Sequence, residues 1–389
     1  MLQRLAWLAP APIPESLMEV PVPGLDAADA DPFGTLTELE SYSLMTRAVD
    51  TPSFSVHRLV QEVTRRNQCD DGQRKWGRKF WNWVQEITHR SQRDPAHATL
   101  TEALQWIDAA FVGDPQDVRD WPVLDPLAPH ARAVTAHADA AEIAEPTARL
   151  MNQAGLLLLA KALHAEAEPL MRRALAISEA SFGADHPKVA IRLNNLAQLL
   201  KGTNRLQEAE PLMRRALAID EASFGALHPE VARDLNNLAA LLQATNRLQE
   251  TEPLMRRALA IDEASVGAEH PNVARDLNNL AQLLQATDRL QEAEPLMRRA
   301  LAIDETSFGA EHPRVAIDLN NLARLLEDTH RLQEAEPLIR RALKIFIGSL
   351  GVEHPSSRTA AKNYFGLLQA MGRTEDEIKG ELASLLQRG

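Results

Sequence analysis

Cysteine is almost missing from this chain: there is one, Cys69, in 389 residues. Neither an internal disulfide nor a Cys-rich zinc site can therefore form. No uninterrupted apolar run approaches the roughly 18–20 residues that a membrane-crossing helix needs, which argues against a helical span. Excess positive charge is also lacking, since 54 acidic residues outnumber 42 basic ones and the net charge is −12. A general phosphate-binding surface needs clustered Lys and Arg, so only a local basic patch remains open. The opening MLQRLAWLAPAPIPES has one Arg, a short apolar run and then prolines, and does not read as a signal peptide. A cytoplasmic location is expected.

Aromatics make up only 4% of the chain, and the six tryptophans (Trp7, Trp76, Trp81, Trp83, Trp106 and Trp121) all lie in the first third. Beyond Trp121 the composition is dominated by Ala, Leu, Glu and Arg. A shift that sharp marks regions built on different principles.

What the second region has is repetition. His-Pro recurs at 186–187, 228–229, 270–271, 312–313 and 354–355, always 42 residues apart. Pro169, Pro211, Pro253, Pro295 and Pro337 keep the same step, and 206–247 differs from 248–289 at six of 42 positions. Periods of this length mark stacked supersecondary units. Each unit reads as two helices. Leu193, Leu196, Ala197 and Leu200 fall on one helical face, and Leu206, Ala209, Met213, Ala216 and Leu217 form the stripe of the next. Asn204, Asn246 and Asp288, each with Gln three residues on, suggest N-caps of the second helices. Gly183, Gly225, Gly267 and Gly309 suit positive-φ stops, and His-Pro puts proline in the first turn of the following helix. Pro211 and its equivalents sit inside the second helix, where a bend is expected rather than a break.

The string VARDLNNLAALLQATNRLQEAEPLMRRALAIDEASFG resembles a tetratricopeptide repeat of the longer, kinesin-light-chain-like type. Leu193, Leu196, Ala197, Leu200, Ala209, Met213 and Ala216 occupy that family's signature positions. The resemblance covers roughly 147–389, with a first unit at 147–181, well-matched helix starts at 189, 231, 273 and 315, and a divergent C-terminal cap over 357–387. It implies an all-α, right-handed superhelical solenoid of antiparallel helix pairs, with a concave groove lined by the first helices.

Those first helices carry a repeated Asn pair: Asn194-Asn195, Asn236-Asn237, Asn278-Asn279 and Asn320-Asn321. Asn is a poor helix former, so its recurrence in mid-helix has a cost that something must offset. An amide offers one donor and one acceptor face, which matches an extended peptide backbone. In the resembling family the Asn before the second Leu commonly does this, which implies a groove role for Asn195, Asn237, Asn279 and Asn321. One Asn of each pair could instead bond the neighbouring repeat and set its stacking. Gln198, Arg233, Arg275, Gln282 and Arg324, with Gln243 and Gln285, complete a polar groove. Ile191 and Ile317 replace the arginines at two positions, and Asp234, Asp276 and Asp318 lie beside them. The groove is expected to hold an extended segment of a protein partner. The pairs Arg214-Arg215, 256–257, 298–299 and 340–341 lie beside Glu208, Glu210 and Glu221 at pairing distances and read as a salt-laced convex face.

Residues 1–68 have another character. LQRLAWLAPAPIPESLMEV reads as helix, proline-rich turn and helix; LTELESYSLMTR as a helix; SFSVH as a strand; and HRLVQEVTRRNQ as a helix. With AWLAPAPIPESL and FSVHRLVQEV, this segment resembles the winged helix of signal-transduction ATPases of the NB-ARC type, where a P-loop domain precedes it. No G-x-x-x-x-G-K-[ST] occurs in this chain, so no nucleotide binding is expected. A winged helix can also contact DNA, and Arg58, Arg65 and Arg66, with Arg74, Lys75, Arg78 and Lys79 nearby, would be the readers. Residues 69–146 form a Trp-rich connector in which Trp76, Phe80 and Trp83 share a helical face, read as core.

Chemistry is not indicated. His186, His228, His270, His312 and His354 are copies of one turn and so are architecture. His130 and His137 are two turns apart without a carboxylate or cysteine at zinc-site spacing. Ser181 with Asp185-His186 has no preserved counterpart at Ser223 and Leu227-His228. No enzyme activity, cofactor or metal is expected. Three readings follow: an interaction scaffold binding an extended peptide; the sensor part of a signalling ATPase lacking its P-loop domain; and a winged-helix DNA-binding regulator.

Overall fold

The computed structural model describes residues 2–21, 45–48, 50–56, 58, 60–62, 64, 65 and 95–386. The chain falls into two compact units, Met1–Arg205 and Leu206–Gly389. The described residues contain 15 α-helices and one small antiparallel sheet, so the fold is all-α apart from that sheet.

The first unit begins with α1 (Leu2–Leu5), β1 (Ile13–Pro14) and a 3-10 helix (Glu15–Glu19), followed by β2 (Met45–Arg47) and β3 (Ser53–Val56). The strand order is β1-β3-β2, with Ile13 opposite Phe54 and Met45 opposite Val56. Part of the helix expected over 36–47 is therefore a strand: Met45 turns its side chain into the core while its backbone pairs with β3. Residues 36–44 of that expectation lie outside the described residues. Arg58, Val60, Gln61, Glu62, Thr64 and Arg65 are helical, as the sequence suggested. Phe54, Ile13, Leu5 and Leu8 are buried with Trp106, Leu104, Ile107 and Leu124 of α2 (Pro95–Ala110) and α3 (Trp121–Ala140). Trp106 donates to the Val20 carbonyl at 3.0 Å and Trp7 to Thr99 Oγ1 at 3.3 Å, which gives both indoles core roles with a satisfied N–H. Trp76, Phe80, Trp81, Trp83 and Cys69 lie outside the described residues.

The repeats start within this unit with α4 (Thr147–Ala160), α5 (His164–Phe182) and α6 (Pro187–Gly202). A Cβ on Gly155 of α4 would fall 2.8 Å from the Met171 side chain of α5, so a residue without a side chain lets the two helices meet. The second unit continues with α7 (Leu206–Phe224), α8 (Pro229–Ala244), α9 (Leu248–Ser265), α10 (Pro271–Ala286), α11 (Leu290–Phe308), α12 (Pro313–Asp328) and α13 (Leu332–Leu350). It ends in the cap, α14 (Pro355–Ala370) and α15 (Glu375–Leu386). Successive helices pack as pairs through Ala, Leu, Val and Met, with Leu280, Ala281, Met297, Leu319 and Leu322 at the centre. The cap departs from the pattern by burying Tyr364, whose hydroxyl reaches Glu336 at 2.9 Å and Glu381 at 2.7 Å.

Two turns explain the punctuation of each repeat. At the first, Asn204, Asn246 and Asp288 have φ near 60° and close the preceding helix, with Arg247 N–H reaching back to Leu242 O at 2.8 Å. They are therefore left-handed helix stops and not the N-caps that the sequence suggested; Asn and Asp tolerate that region better than other side chains. At the second, Gly225 has φ 88° and is followed by His228, whose ring Nδ1 accepts from the Glu230 backbone N–H at 3.2 Å. The same His cap recurs at His186, His270, His312 and His354, and Phe224 stacks on the His228 ring at 4.6 Å between centroids. The helices run uninterrupted through Pro211, Pro253, Pro295 and Pro337.

Candidate peptide-binding surface

A helix repeats every 3.6 residues, so positions i, i+4 and i+7 share one stripe. On α8 that stripe holds Arg233, Asn237 and Ala240; on α10, Arg275, Asn279 and Gln282; on α12, Ile317, Asn321 and Arg324. These side chains are half-buried or exposed, while Leu235, Leu238, Ala239 and Leu242, with their copies, fill the opposite side. In the first unit α6 presents Ile191, Asn195 and Gln198 in the same way. Between α10 and α12 the stripe opens into a cleft of about 170 Å³ lined by Asn278, Asn279, Gln282, Ile317 and Asn321 among others. Arg324, though exposed on the same stripe, does not line it, nor do the residues of α8.

The two asparagines of a pair have different environments. Asn236 and Asn278 are each 8% exposed, and each donates Nδ2 to a buried Asp one repeat further on: Asn236 to Asp276 Oδ1 at 2.8 Å, and Asn278 to Asp318 Oδ1. Asn194 is buried, whereas Asn320 is half-buried and accepts from Asn363 Nδ2 at 3.0 Å. Of the second asparagines, Asn237, Asn279 and Asn321 are half-exposed as residues, while the Nδ2 atoms of Asn237 and Asn321 are themselves buried and have no hydrogen-bond partner. Asn195 has its donor engaged, bonding Asn152 Oδ1 at 3.0 Å within the first unit.

The sequence reading gave no structural part to the Asp of Leu-Ala-Ile-Asp. Asp220, Asp262 and Asp304, on α7, α11's neighbour α9, and α11 respectively, pair with Asp234, Asp276 and Asp318 of the following helix. All six carboxyls are at most 4% exposed. Burial pushes the Asp318 carboxyl up from 3.8 to about 7, the Asp304 carboxyl adds to this, and the Asn278 amide opposes it. Burial raises Asp220 and Asp276 as well. Two of the pairs hold a guanidinium. Arg233 Nη2 lies 3.4 Å from Asp220 and 3.0 Å from Asp234, and Arg275 Nη2 lies 3.3 Å from Asp262 and 3.0 Å from Asp276. These arginines are thus largely spent on the chain's own acids. The available signal was an Asp recurring at 42-residue steps within otherwise apolar stripes. In the first unit Arg192 takes the place of Asp234, is buried, and faces Asp108 and Glu145.

The second helices carry the charge ladder expected from the Arg pairs. Arg247 reaches Glu210 at 2.8 Å and Glu250 at 2.7 Å, and Arg257, Arg299 and Arg341 each bond a Glu of the preceding repeat at 2.6 Å. In the first unit, Arg65 is bonded to His137 Nε2 at 3.2 Å, while His130 Nε2 lies 3.0 Å from the Pro12 carbonyl. The two histidines therefore serve separate contacts. Arg66, Arg74, Lys75, Arg78 and Lys79 lie outside the described residues. No described helix is long and apolar enough to cross a membrane.

The tetratricopeptide-repeat family profile matches residues 146–222, 230–306 and 277–348, a little over half of the chain. The chain belongs to the tetratricopeptide repeat family. Its repeats thereby place it among protein-interaction scaffolds of that architecture. Similar solved structures include a Podosopora anserina protein described as a kinesin light chain of nearly identical TPR-like repeats, at 25% identity over 53% of this chain and 99% of that one, TM-score 0.45. BtubC (BKLC) from P. vanneervenii is 23% identical over 59% and 89% of the two chains, TM-score 0.49. PilF from Pseudomonas aeruginosa is 19% identical over 61% and 97%, TM-score 0.39. No curated protein sequence matches the chain.

Proposed function

We propose that this tetratricopeptide protein is a non-catalytic scaffold that holds an extended segment of a partner protein against α8, α10 and α12. The observation that carries the reading is the division of labour within each Asn pair. Asn236 and Asn278 are buried and each spends its Nδ2 on an inter-repeat bond, whereas Asn237, Asn279 and Asn321 remain half-exposed at a 42-residue period. A half-turn about χ2 exchanges the two ends of an amide, so each of these positions can offer a donor or an acceptor to a peptide backbone. One such bond contributes about 0.5–1.5 kcal/mol net, so affinity has to come from several repeats together. Peptides selected from a displayed library on the full chain test this. Asn237→Ala with Asn279→Ala should weaken their binding at least tenfold while leaving the melting temperature nearly unchanged. Unaltered binding by the double variant would falsify the groove assignment.

A second reading, the sensor part of a signal-transduction ATPase, is supported by the β1-β3-β2 sheet followed by helical residues at 58–65. A winged helix pairs its first strand with its third in this way. On that reading 1–68 is the winged-helix segment, 69–146 the connector and 147–389 the repeat array. Sequencing the gene upstream of the Met1 codon decides it: an in-frame P-loop supports the ATPase, and a stop codon beside a ribosome-binding site removes it. The DNA-binding reading is weakened by Arg65, which is turned onto His137 of its own chain. Duplex retention at low salt would revive it.

A further inference from the structure

We propose that the cleft between the helical residues 58–65 and α3 binds a phosphate monoester, with Arg58, Arg65 and His137 receiving the phosphoryl oxygens. The cleft has a volume of about 360 Å³. Arg58, Gln61, Arg65 and His137 form its polar side, and Leu8, Pro10 and Ala133 belong to its apolar wall. No carboxylate is among its lining residues. The charge there is one-sided. Among the described residues neither Arg58 nor Arg65 forms an ion pair, whereas Arg4, Arg132, Arg149 and Arg173 of the same unit each hold a carboxylate. Arg65 donates instead to another base, its Nη1 lying 3.2 Å from His137 Nε2. A guanidinium has no lone pair to offer, so the imidazole is the acceptor and is neutral in this contact.

Three bases facing one cleft oppose one another. Burial and then the Arg65 charge hold the His137 pKa below its ordinary value. Burial disfavours the Arg65 charge as well; Glu62 of the same segment opposes this without lining the cleft, and Arg58 adds to it. An anion in the cleft reverses these effects: it favours both guanidinium charges and a protonated imidazole, which then turns from acceptor to donor. Two guanidinium forks and an imidazolium, brought from two elements, suit the several oxygens and double charge of a phosphoryl group better than a single carboxylate. The apolar wall suits the carbon body of an ester. The walls are set by bonds that use neither arginine. Gln61, 1% exposed, donates Nε2 to the carbonyls of Leu5 at 3.0 Å and Leu8 at 3.4 Å. His130 Nε2 lies 3.0 Å from the Pro12 carbonyl, which ties the loop after Leu8 to α3, and Trp7 meets the His137 ring edge-on at 5.3 Å. The cleft shares no residue with α8, α10 or α12, so it stands or falls apart from the peptide-binding reading.

The test is a titration of the isotopically labelled full chain with phenyl phosphate, inorganic phosphate and benzoate, following the ring resonances of His137. Phenyl phosphate should bind most tightly, and its saturation should raise the His137 pKa. Arg58→Gln and Arg65→Gln should each weaken it about tenfold, the loss expected of one charge-assisted hydrogen bond, at a nearly unchanged melting temperature. If Arg65→Gln does not fold, Arg58→Gln decides alone, because that side chain is exposed. Benzoate bound as tightly as phenyl phosphate, a His137 pKa unmoved at saturation, or normal binding by Arg58→Gln overturns the site. Inorganic phosphate bound as tightly as phenyl phosphate removes the ester. A short DNA duplex that moves the same resonances at lower concentration than phenyl phosphate also overturns the proposal, in favour of a DNA-binding surface.

Discussion

Asp318→Asn separates the electrostatic cost of a buried acidic pair from its hydrogen bonds. The substituted side chain keeps an oxygen for the Asn278 amide and adds an N–H that can donate to Asp304, in the volume of the original. The wild-type carboxyl titrates at about 7 against an ordinary 3.8, with burial as the first cause. Asp304, Asn278 and Arg314 also act on it, and His312 and Arg314 act on Asp304. The folded protein thus holds a proton that the unfolded chain releases above about pH 4. Stability conferred by that proton is complete at low pH and declines as pH rises through the window from about 4 to about 7. At 1.36 kcal/mol per pH unit, the decline between pH 5 and pH 8 is roughly 2–3 kcal/mol from this one group. Asp318→Asn removes it, so the variant should gain about 2–3 kcal/mol more over wild type at pH 8 than at pH 5. Urea unfolding at both pH values measures the difference, and amide hydrogen exchange in α11 and α12 locates it. A gain that is equal at the two pH values, or a loss at pH 8, would refute the reasoning.

Other substitutions probe other parts of the same architecture. Asn278→Ala leaves Asp318 without its amide donor and should cost about 1–3 kcal/mol in urea unfolding, whereas Asn279→Ala should cost little. His228→Ala loses the cap on Glu230 N–H and should lower stability by about 1 kcal/mol, with His228→Asn restoring most of it, both read by thermal denaturation. Gly225→Ala meets no neighbouring atom but forces a side chain onto φ 88°; a cost of about 1–2 kcal/mol is expected, and no cost would show that the turn relaxes freely. Tyr364→Phe removes the hydroxyl that joins Glu336 to Glu381 and should raise amide exchange in α15 before any other helix.

The repeat fold is legible because its signals are local. Leucine and alanine spacing, the 42-residue step and the Gly-to-His-Pro interval each set an element without reference to distant residues. What stayed hidden depends on contacts between elements. Asn204 looks like an N-cap by its distance to Gln207, yet the chain turns there with φ 61°, and only the backbone bonds of α6 decide which helix it serves. Met45 lies in a helix-like string but pairs with β3, because a partner strand outweighs local propensity. Within the candidate site, the half-exposed second Asn was accessible to reasoning from one helix. The partnership of Asn278 with Asp318, and of Asp318 with Asp304, links three helices and has no local signature beyond an acid in an apolar stripe.

The central claim is that partner segments lie along the first-helix face and nowhere else. Hydrogen exchange and side-chain amide resonances of the full chain, measured with and without a library-selected peptide, test it most directly. Changes should concentrate at Asn237, Asn279, Gln282 and Asn321 on α8, α10 and α12. Changes confined to the Arg-Glu ladder of the second helices, or to the β1-β3-β2 sheet, would contradict it.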